Sequence, residues 1–163
     1  MLRALENVDL AAVFRILSCP ITTRDVTWRK DSMDEAAAWL DRRMRCEAAH
    51  GYSMWAMEAE TAEISGLCGF FSSPDGWLEL GYVVFHEQQG RGLASEAANA
   101  AVAAAQAAGR RVFATIRQNN HASIRVAEKA GLQRTDERVA VRPDLLMFRS
   151  PGGETPRQKI PDG

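Results

Sequence analysis

One short stretch of the chain has residue types suited to binding an anion. It reads Gln-Gly-Arg-Gly-Leu-Ala over residues 89–94. Residues 77–85 before it are rich in β-branched and aromatic side chains and predict a strand, and residues 93–108 after it contain no glycine or proline and predict a helix. A strand that turns through two glycines into a helix leaves the first N–H groups of the helix unpaired, at the positive end of its dipole. Such a turn suits a phosphate or pyrophosphate, and Arg91 adds a forked cation.

Several kinds of phosphate loop compete for this turn. A Walker loop requires Gly-Lys-Ser/Thr, which does not occur near it. The dinucleotide fingerprint G-x-G-x-x-G/A fits only loosely, because Ser95 takes its third small position, so NAD-type binding stays a weaker alternative. A bare Gly-x-Gly is also a common turn with no ligand. The pattern Gln-x-x-Gly-x-Ala fits from Gln89 to Ala94 without adjustment.

A second segment further along the chain strengthens this pattern. Residues 111–117 predict a strand, and residues 119–132 predict a short helix with Asn120 as its N-cap. Together, Gln-x-x-Gly-x-Ala and Asn-x-x-Ser-x-x-x-x-Glu-Lys-x-Gly-Leu resemble the acyl-CoA-binding core of the GNAT superfamily of N-acetyltransferases. The resemblance covers residues 54–150 well and the N-terminal third in outline. Ser123 and Ala127 look most like the branch that includes the ribosomal-protein N-terminal acetyltransferases.

The resemblance implies a fold, a co-substrate and a set of contacts. The fold is a single α/β domain over residues 1–150, with a mixed, mostly antiparallel sheet and helices on both faces. The reaction is direct attack of an amine on acetyl-CoA in a ternary complex, with no metal. The strand that ends at residue 85 would bulge and splay from its neighbour, so that a backbone N–H near Val84 polarises the thioester carbonyl. The cofactor-binding residues implied in this way are Val83, Val84, Phe85, Gln89, Gly90, Arg91, Gly92, Leu93, Ala94, Asn120 and Ser123.

Glu79 is the first candidate for the general base. An ammonium acceptor with a pKa near about 10 must lose a proton before it attacks. Glu79 lies on the strand leading to the glycine turn, where several GNAT members carry a catalytic glutamate. A glutamate between two leucines is equally what the solvent face of an ordinary strand would show. His86 is the competing base, because imidazole exchanges protons near neutral pH, while His50 and His121 look like helix-end residues.

The departing thiolate raises the question of a general acid. Many GNAT members carry a tyrosine four residues beyond the serine position, and here that position is Ala127. The resemblance leaves Ser123 as a catalytic donor, although a serine at this place also hydrogen-bonds its own helix end. A thiol with a pKa near about 8.5 can also leave unaided.

The acceptor amine stays open at this stage. In GNAT members the first two helices and their connection line its entrance, which corresponds to residues 22–39. The charged and aromatic residues there include Arg24, Asp25, Trp28, Arg29, Asp31, Asp34 and Trp39. Such a mixture does not choose between a protein N-terminus, an amino acid and an aminoglycoside-like amine. A catalytically idle acyl-CoA-binding module is the alternative to an enzyme.

Composition bounds the class of protein. The 163 residues can bury one core, and a net charge of −1 gives no electrostatic sign of nucleic-acid binding. No apolar run approaches the ~20 residues of a membrane span, and no secretory pattern is recognisable, so we expect a cytoplasmic monomer or homodimer. Cys19, Cys46 and Cys68 form no C-x-x-C pair and are predicted to be free thiols. Residues 151–163 are polar and rich in Pro and Gly, and predict a flexible tail.

The remaining elements follow from periodicity and capping. Residues 2–5 predict an edge strand, and apolar side chains at helical spacing over residues 10–17 predict a first helix. Residues 21–30 predict a polar connection, and Ser32-Met33-Asp34-Glu35 is a capping box that opens a second helix. Three strands then lead to residue 85, and residues 133–149 predict a closing hairpin. The predicted order is strand, two helices, three strands, helix, strand, helix, two strands.

Overall fold

The computed structural model describes residues 1–59, 63–138 and 142–151, and in them one seven-stranded sheet forms the centre of the molecule. The strands are β1 (Leu2–Ala4), β2 (Met54–Glu58), β3 (Ile64–Ser72), β4 (Leu78–Val84), β5 (Val112–Arg117), β6 (Gln133–Arg138) and β7 (Leu145–Arg149). Their spatial order is β1-β2-β3-β4-β5-β7-β6. All neighbours are antiparallel except β4 and β5, which run parallel. The predicted mixed, mostly antiparallel sheet is confirmed.

Five α-helices accompany the sheet within the described residues. They are α1 (Leu10–Ser18), α2 (Pro20–Thr23), α3 (Met33–His50), α4 (Leu93–Ala107) and α5 (His121–Lys129). The sequence predicts only a polar connection over residues 21–30, and the structure corrects this with the short α2. Pro20 is its first residue, where a fixed φ and a missing N–H suit a helix. None of these helices is both long and apolar enough to cross a membrane.

Capping decides where two of the helices begin. The Ser32 hydroxyl accepts the N–H of Glu35 at 3.2 Å, as predicted. The Glu35 carboxylate accepts the N–H of Asp31 at 2.8 Å, so the reciprocal bond of the capping box forms one residue earlier than expected. At α5, the side chain of Asn120 accepts the N–H of Ser123 at 3.1 Å. Asn120 is therefore confirmed as an N-cap.

Apolar side chains alternate between the two faces of the sheet. On β4, Leu80 and Val84 pack against α4 and α5 in one core. Val83 packs against α1 and α3 in the other. The predicted helices on both faces are therefore confirmed. Because side chains alternate along a strand, Glu79 and Gly81 share the α1/α3 face with Val83.

β4 and β5 separate after two residue pairs, Leu78 with Val112 and Glu79 with Phe113. Beyond them β5 stays paired with β7 and β4 stays paired with β3. The expected splay is present and opens a wedge between the two parallel strands. The expected bulge is not formed, because the register between β3 and β4 is regular along the whole of β4.

The C-terminal hairpin closes the sheet. β6 and β7 pair antiparallel, from Gln133 with Arg149 to Arg138 with Leu146. The stretch 139–141 between them lies outside the described residues. The predicted tail also lies outside them, except for its first residue, Pro151.

Candidate active site

A cleft of about 430 Å³ opens between the end of β4, the loop that follows it and α5; we call it the glycine-loop cleft. Gly90 and Gly92 line it with φ values of 80° and 84°, which favour glycine. A Cβ built on either would meet no atom within 4 Å, so glycine is required there by backbone conformation and not by crowding. Gly92 is the N-cap of α4, and the unpaired N–H groups of the first turn therefore face the loop.

Three cations border the glycine-loop cleft, namely Arg24, Arg125 and Lys129. Arg125 and Lys129 are one turn apart on α5 and so project to the same side. Arg91, the cation expected from the sequence, is exposed and does not line the cleft. Positive charge and the N-terminus of α4 together suit a ligand with several phosphate oxygens.

Two hydrogen bonds show how the backbone of β4 is oriented. The N–H of Leu78 donates to the carbonyl of Arg111, on the β5 side, at 2.9 Å. The N–H of Phe85 donates to the carbonyl of Ser65, on β3, at 2.8 Å. Successive residues of a strand point their backbone groups to opposite sides. Even-numbered residues of β4 therefore turn their N–H and C=O groups toward the wedge, and odd-numbered ones toward β3.

This alternation distinguishes Val83, Val84 and Phe85, which the sequence analysis assigned to the same backbone contacts with the cofactor. Val84 turns its backbone groups into the wedge, whereas those of Val83 and Phe85 are directed at β3. The carbonyl of Val84 accepts the side-chain Nε2 of Gln89 at 3.0 Å, which ties the loop to the strand. The N–H of Val84 is left facing the wedge as a donor for a ligand.

A second cleft, of about 320 Å³, lies on the α1/α3 face of the sheet; we call it the Glu79 cleft. Glu79 and Gly81 from β4, and Thr115 and Arg117 from β5, form its floor. The Thr115 hydroxyl donates to Oε1 of Glu79 at 2.7 Å. Glu79 thus has a fixed position beside a cavity, and does not simply face solvent from the surface of the sheet.

Aromatic rings form one wall of the Glu79 cleft. Trp28 stacks on Trp39, with 6.2 Å between ring centroids, and meets Phe71 edge to face at 5.4 Å. A Cβ on Gly81 would lie 2.7 Å from the Phe71 ring, so a glycine is needed for the wall to approach β4. Stacking on Trp39 and the close packing of Phe71 on Gly81 therefore fix the position of this wall.

The structure divides the residues that were expected at the acceptor entrance. Asp25 and Trp28 line the Glu79 cleft, Asp25 also borders the glycine-loop cleft, and Arg24 lines the latter. Three other charged residues that were expected there line neither cleft, namely Arg29, Asp31 and Asp34.

The two clefts meet where Tyr82, Asn120 and Ser123 line both of them. The Tyr82 hydroxyl donates to the backbone carbonyl of Ser123 at 3.0 Å, joining β4 to the first turn of α5. Burial raises the pKa of Tyr82 to about 12, so the phenol keeps its proton at neutral pH. Ala127 is fully buried in the core beneath α5. The side chain at position 127 therefore reaches neither cleft.

None of the three histidines lines either cleft. Nδ1 of His86 is 3.2 Å from the hydroxyl of Thr22 and 3.5 Å from the thiol of Cys19, and His86 lines neither cleft. His50 is the last residue of α3 and His121 the first of α5. The competing base is therefore engaged with Thr22 of α2 and with Cys19.

The cysteines are free thiols, as predicted. Cys68 is fully buried, and burial raises its pKa to about 12, which makes it an inert part of the core. Over residues 1–59, 63–138 and 142–151 no cluster of three or more His, Cys, Asp or Glu side chains could hold a metal ion.

Sequence reasoning missed several residues of the two clefts: Tyr82, Thr115, Arg117, Arg125 and Lys129. Two signals were available for part of this set. Thr115 and Arg117 have the same parity on β5, and Arg125 and Lys129 have helical i, i+4 spacing. Neither signal says which cleft the residues face, because that depends on the parallel pairing of β4 with β5.

Comparisons with known proteins agree with this geometry. A family model described as Acetyltransferase (GNAT) domain matches residues 1–133. The chain is 32% identical over 138 residues to the "Uncharacterized protein YkkB" of Bacillus subtilis (strain 168), covering 80% of each chain. A Bordetella pertussis structure assigned to the GNAT-family acetyltransferases is 25% identical, with a TM-score of 0.75 and coverage of 91% of this chain and 93% of that one.

A further similar structure contains a coenzyme. It is RimL, the ribosomal L7/L12 alpha-N-protein acetyltransferase, in complex with coenzyme A. It is 20% identical to this chain, with a TM-score of 0.74 and coverage of 91% of both chains. At that identity the likeness shows a shared fold.

Proposed function

This chain belongs to the GNAT family of acetyltransferases, and we propose that it moves the acetyl group of acetyl-CoA to a primary amine by direct attack in a ternary complex. That it is an acetyl-CoA-dependent N-acetyltransferase follows from the family; the acceptor and the residue roles are our proposal. The observation that supports it is the junction of the two clefts. Because they share Tyr82, Asn120 and Ser123, two substrates can be bound at once with their reacting ends together.

The glycine-loop cleft fits the co-substrate on its own residues. The N–H groups of residues 89–94, at the N-terminus of α4, would hold the pyrophosphate, and Arg125 and Lys129 would neutralise further phosphate charge. The wedge-facing backbone of β4 would pair with the pantetheine arm. Acetyl-CoA supplies the thioester that the amine attacks. The N–H of Val84 would then stabilise the negative charge that develops on the carbonyl oxygen.

Glu79 takes the proton in this proposal. An amine entering the Glu79 cleft is an ammonium at neutral pH, and Glu79 would accept its proton directly or through a water molecule. The hydroxyl of Thr115 keeps the Glu79 carboxylate oriented over the cavity. A positioned base of this kind typically contributes about 10²- to 10⁴-fold to the rate.

Ser123 is the proposed proton relay to the departing thiolate: its hydroxyl gives a proton to the sulfur while it takes one from a water molecule. It lines both clefts, and Asn120 orders the helix turn that carries it. The Tyr82 hydroxyl directs its proton at the carbonyl of Ser123, so in this arrangement it positions the turn.

The first test is a thiol-release assay with acetyl-CoA and a panel of primary amines, followed by Glu79→Gln with the best acceptor. We expect kcat to fall by about 10²- to 10⁴-fold in this variant, because the amide cannot accept the proton. The affinity for coenzyme A should stay within about twofold, since Glu79 lines only the other cleft.

Glu128→Gln is the matched control. Glu128 is exposed on α5 and lines neither cleft, so the same substitution should leave both kcat and coenzyme A affinity unchanged. Coenzyme A binding without turnover of any amine would support an idle acyl-CoA-binding module instead. Thermal stabilisation by NAD and not by coenzyme A would point to a dinucleotide site.

A further inference from the structure

We infer that the acceptor is a small amine that also carries a carboxylate, with an apolar or aromatic body, and that Arg117 and Arg142 bind its carboxylate. This inference rests on the proposed function, since it names the occupant of the Glu79 cleft. It depends on the charge balance of the cleft, the accessibility of its arginines, and its size and aromatic wall.

The charges of the Glu79 cleft do not suit a polycation. Its lining holds two acids, Asp25 and Glu79, and two guanidinium groups, Arg117 and Arg142. Asp25 is already engaged, 3.1 Å from Nε of Arg24 and 3.6 Å from Arg117. Within the described part of the chain, Glu79 is then the lining acid without a cationic partner. One such acid suits one ammonium group, whereas an aminoglycoside-like amine would bring several.

Both arginines have partners and can also receive an anion. Nη1 of Arg117 donates to the backbone carbonyl of Arg24 at 3.2 Å and lies 3.6 Å from Asp25, and its guanidinium carries further N–H groups. Arg117 lies two residues beyond Thr115 on the same face of β5, so its Cα is roughly 7 Å further along the strand from the group that holds Glu79. Arg142 pairs with Asp144 through two hydrogen bonds, at 3.1 and 3.2 Å, and both side chains are nearly half exposed. Exposed pairs contribute little, so a substrate carboxylate can replace a carboxylate of the protein there. A guanidinium binds a carboxylate with two parallel hydrogen bonds, which makes such an exchange specific.

The size and wall of the cleft favour a compact acceptor. A volume of about 320 Å³ is at the small end for ligand pockets. Trp28 and Phe71 offer a rigid apolar surface in the same cleft as the acidic and the basic groups. A free amino acid or a dipeptide is small enough for such a cleft and presents an amine, an apolar body and a carboxylate. The N-terminus of a folded protein carries its C-terminal carboxylate elsewhere.

The test compares each acid with its own amide. L-phenylalanine, β-homophenylalanine and the dipeptide Gly-Phe give three separations between amine and carboxylate, and each is assayed beside its C-terminal amide over a pH series that corrects for the fraction of neutral amine. We expect at least one acid to have a kcat/KM about tenfold or more above its amide, the size of a charge-assisted hydrogen bond. In Arg117→Gln with Arg142→Gln the preference should fall below about threefold.

Two further variants separate binding from folding. Arg117→Lys keeps the charge without the fork, and should retain part of the preference. Arg45→Gln alters an arginine on α3 that pairs with Asp41 at 2.6 Å, lines neither cleft and should leave the preference intact. Binding of each acid and amide is also measured by calorimetry on the protein saturated with coenzyme A.

The readouts distinguish failure of this inference from failure of the proposed function. If acids and amides are equal in turnover and in binding, the carboxylate has no site and the inference is overturned. The observed turnover would still support the proposed amine acetyltransferase. Carboxylate-dependent binding that is lost in the double arginine variant, without turnover, supports the inference and removes the proposed reaction. Absence of both turnover and binding for every acid overturns the inference.

Discussion

The glycine-loop cleft and the Glu79 cleft share a border but are built from different parts of the chain. The first is mainly backbone: N–H groups at the start of α4 and the wedge-facing edge of β4. The second is mainly side chains, and they come from β3, β4, β5, the loop after α2, the start of α5 and the residues leading into β7. One is therefore sensitive to backbone conformation, and the other to the identity of each side chain.

This difference assigns different tasks to the two clefts. Backbone N–H groups are the same at every residue, so a site made of them binds a constant ligand while most side chains around it change. A site made of side chains from separate strands changes its preference with each substitution. The same scaffold can thus keep one co-substrate and exchange acceptors, with Tyr82, Asn120 and Ser123 as the contact between the two functions.

The largest effect on coenzyme A binding should come from Gly92→Glu, which changes the glycine-loop cleft alone. A non-glycine residue at a φ of 84° costs about 1–2 kcal/mol, so the loop relaxes away from its conformation. The new carboxylate also competes with the pyrophosphate for the N–H groups of α4. We expect the Kd for coenzyme A, measured by calorimetry, to rise about 100-fold.

Gly109→Glu is the control for strain and charge. Gly109 has a φ of 69° and follows the opposite end of α4, with no atom within 4 Å of a built Cβ. The variant should lose a comparable amount of thermal stability while the Kd for coenzyme A changes by less than about twofold. Equal weakening of coenzyme A binding in both variants would mean that general destabilisation, and not the loop, is responsible.

The glycine-loop cleft is also the one that the sequence predicts best. Its glycines, its strand, its helix and the cap at Asn120 are all consequences of local residue preferences. Two details escaped. Alternation along β4 turns the backbone groups of Val84 toward the wedge and those of Val83 and Phe85 toward β3, although Val83 also lines the cleft. Arg91 is not a lining residue, whereas Arg125 and Lys129 of α5 are.

The Glu79 cleft is much less predictable from the sequence, because its contacts join residues that are far apart along the chain. Thr115 reaches Glu79 across 36 positions of sequence, and only the parallel pairing of the strands brings them together. No local pattern encodes where β4 and β5 separate, since that depends on the register of two strands that are distant in sequence. The short α2 was missed for a different reason: Pro20 both ends α1 and begins a new turn.

A smaller effect, confined to the side-chain-built cleft, is expected from Thr115→Val. The substitution keeps the shape of the residue and removes the hydroxyl that donates to Glu79 at 2.7 Å. Hydrogen bonds to charged groups are worth about 1.5–3 kcal/mol, and part of this should appear as a roughly tenfold lower kcat. The Kd for coenzyme A should not change.

Thr27→Val serves as the matched control for that variant. Thr27 lines the same cleft but is exposed, and within the described residues its hydroxyl makes no bond to Glu79. Its kcat should remain at the wild-type value. A similar loss of kcat in both variants would show that the polarity of the cleft, rather than the position of Glu79, limits the rate.

The smallest effect addresses the junction itself through a pair of helix N-caps. Asn120→Ala and Ser32→Ala each remove a side-chain acceptor for an N–H of the first helical turn, so each should lower the free energy of unfolding by about 1 kcal/mol. Only Asn120 lies where the clefts meet, so only its variant should change kcat/KM, by a few-fold, as the turn carrying Ser123 loosens. Urea denaturation and steady-state kinetics on both variants measure the two quantities. If both variants lose the same stability and also have the same kcat/KM, the start of α5 does not couple the glycine-loop cleft to the Glu79 cleft.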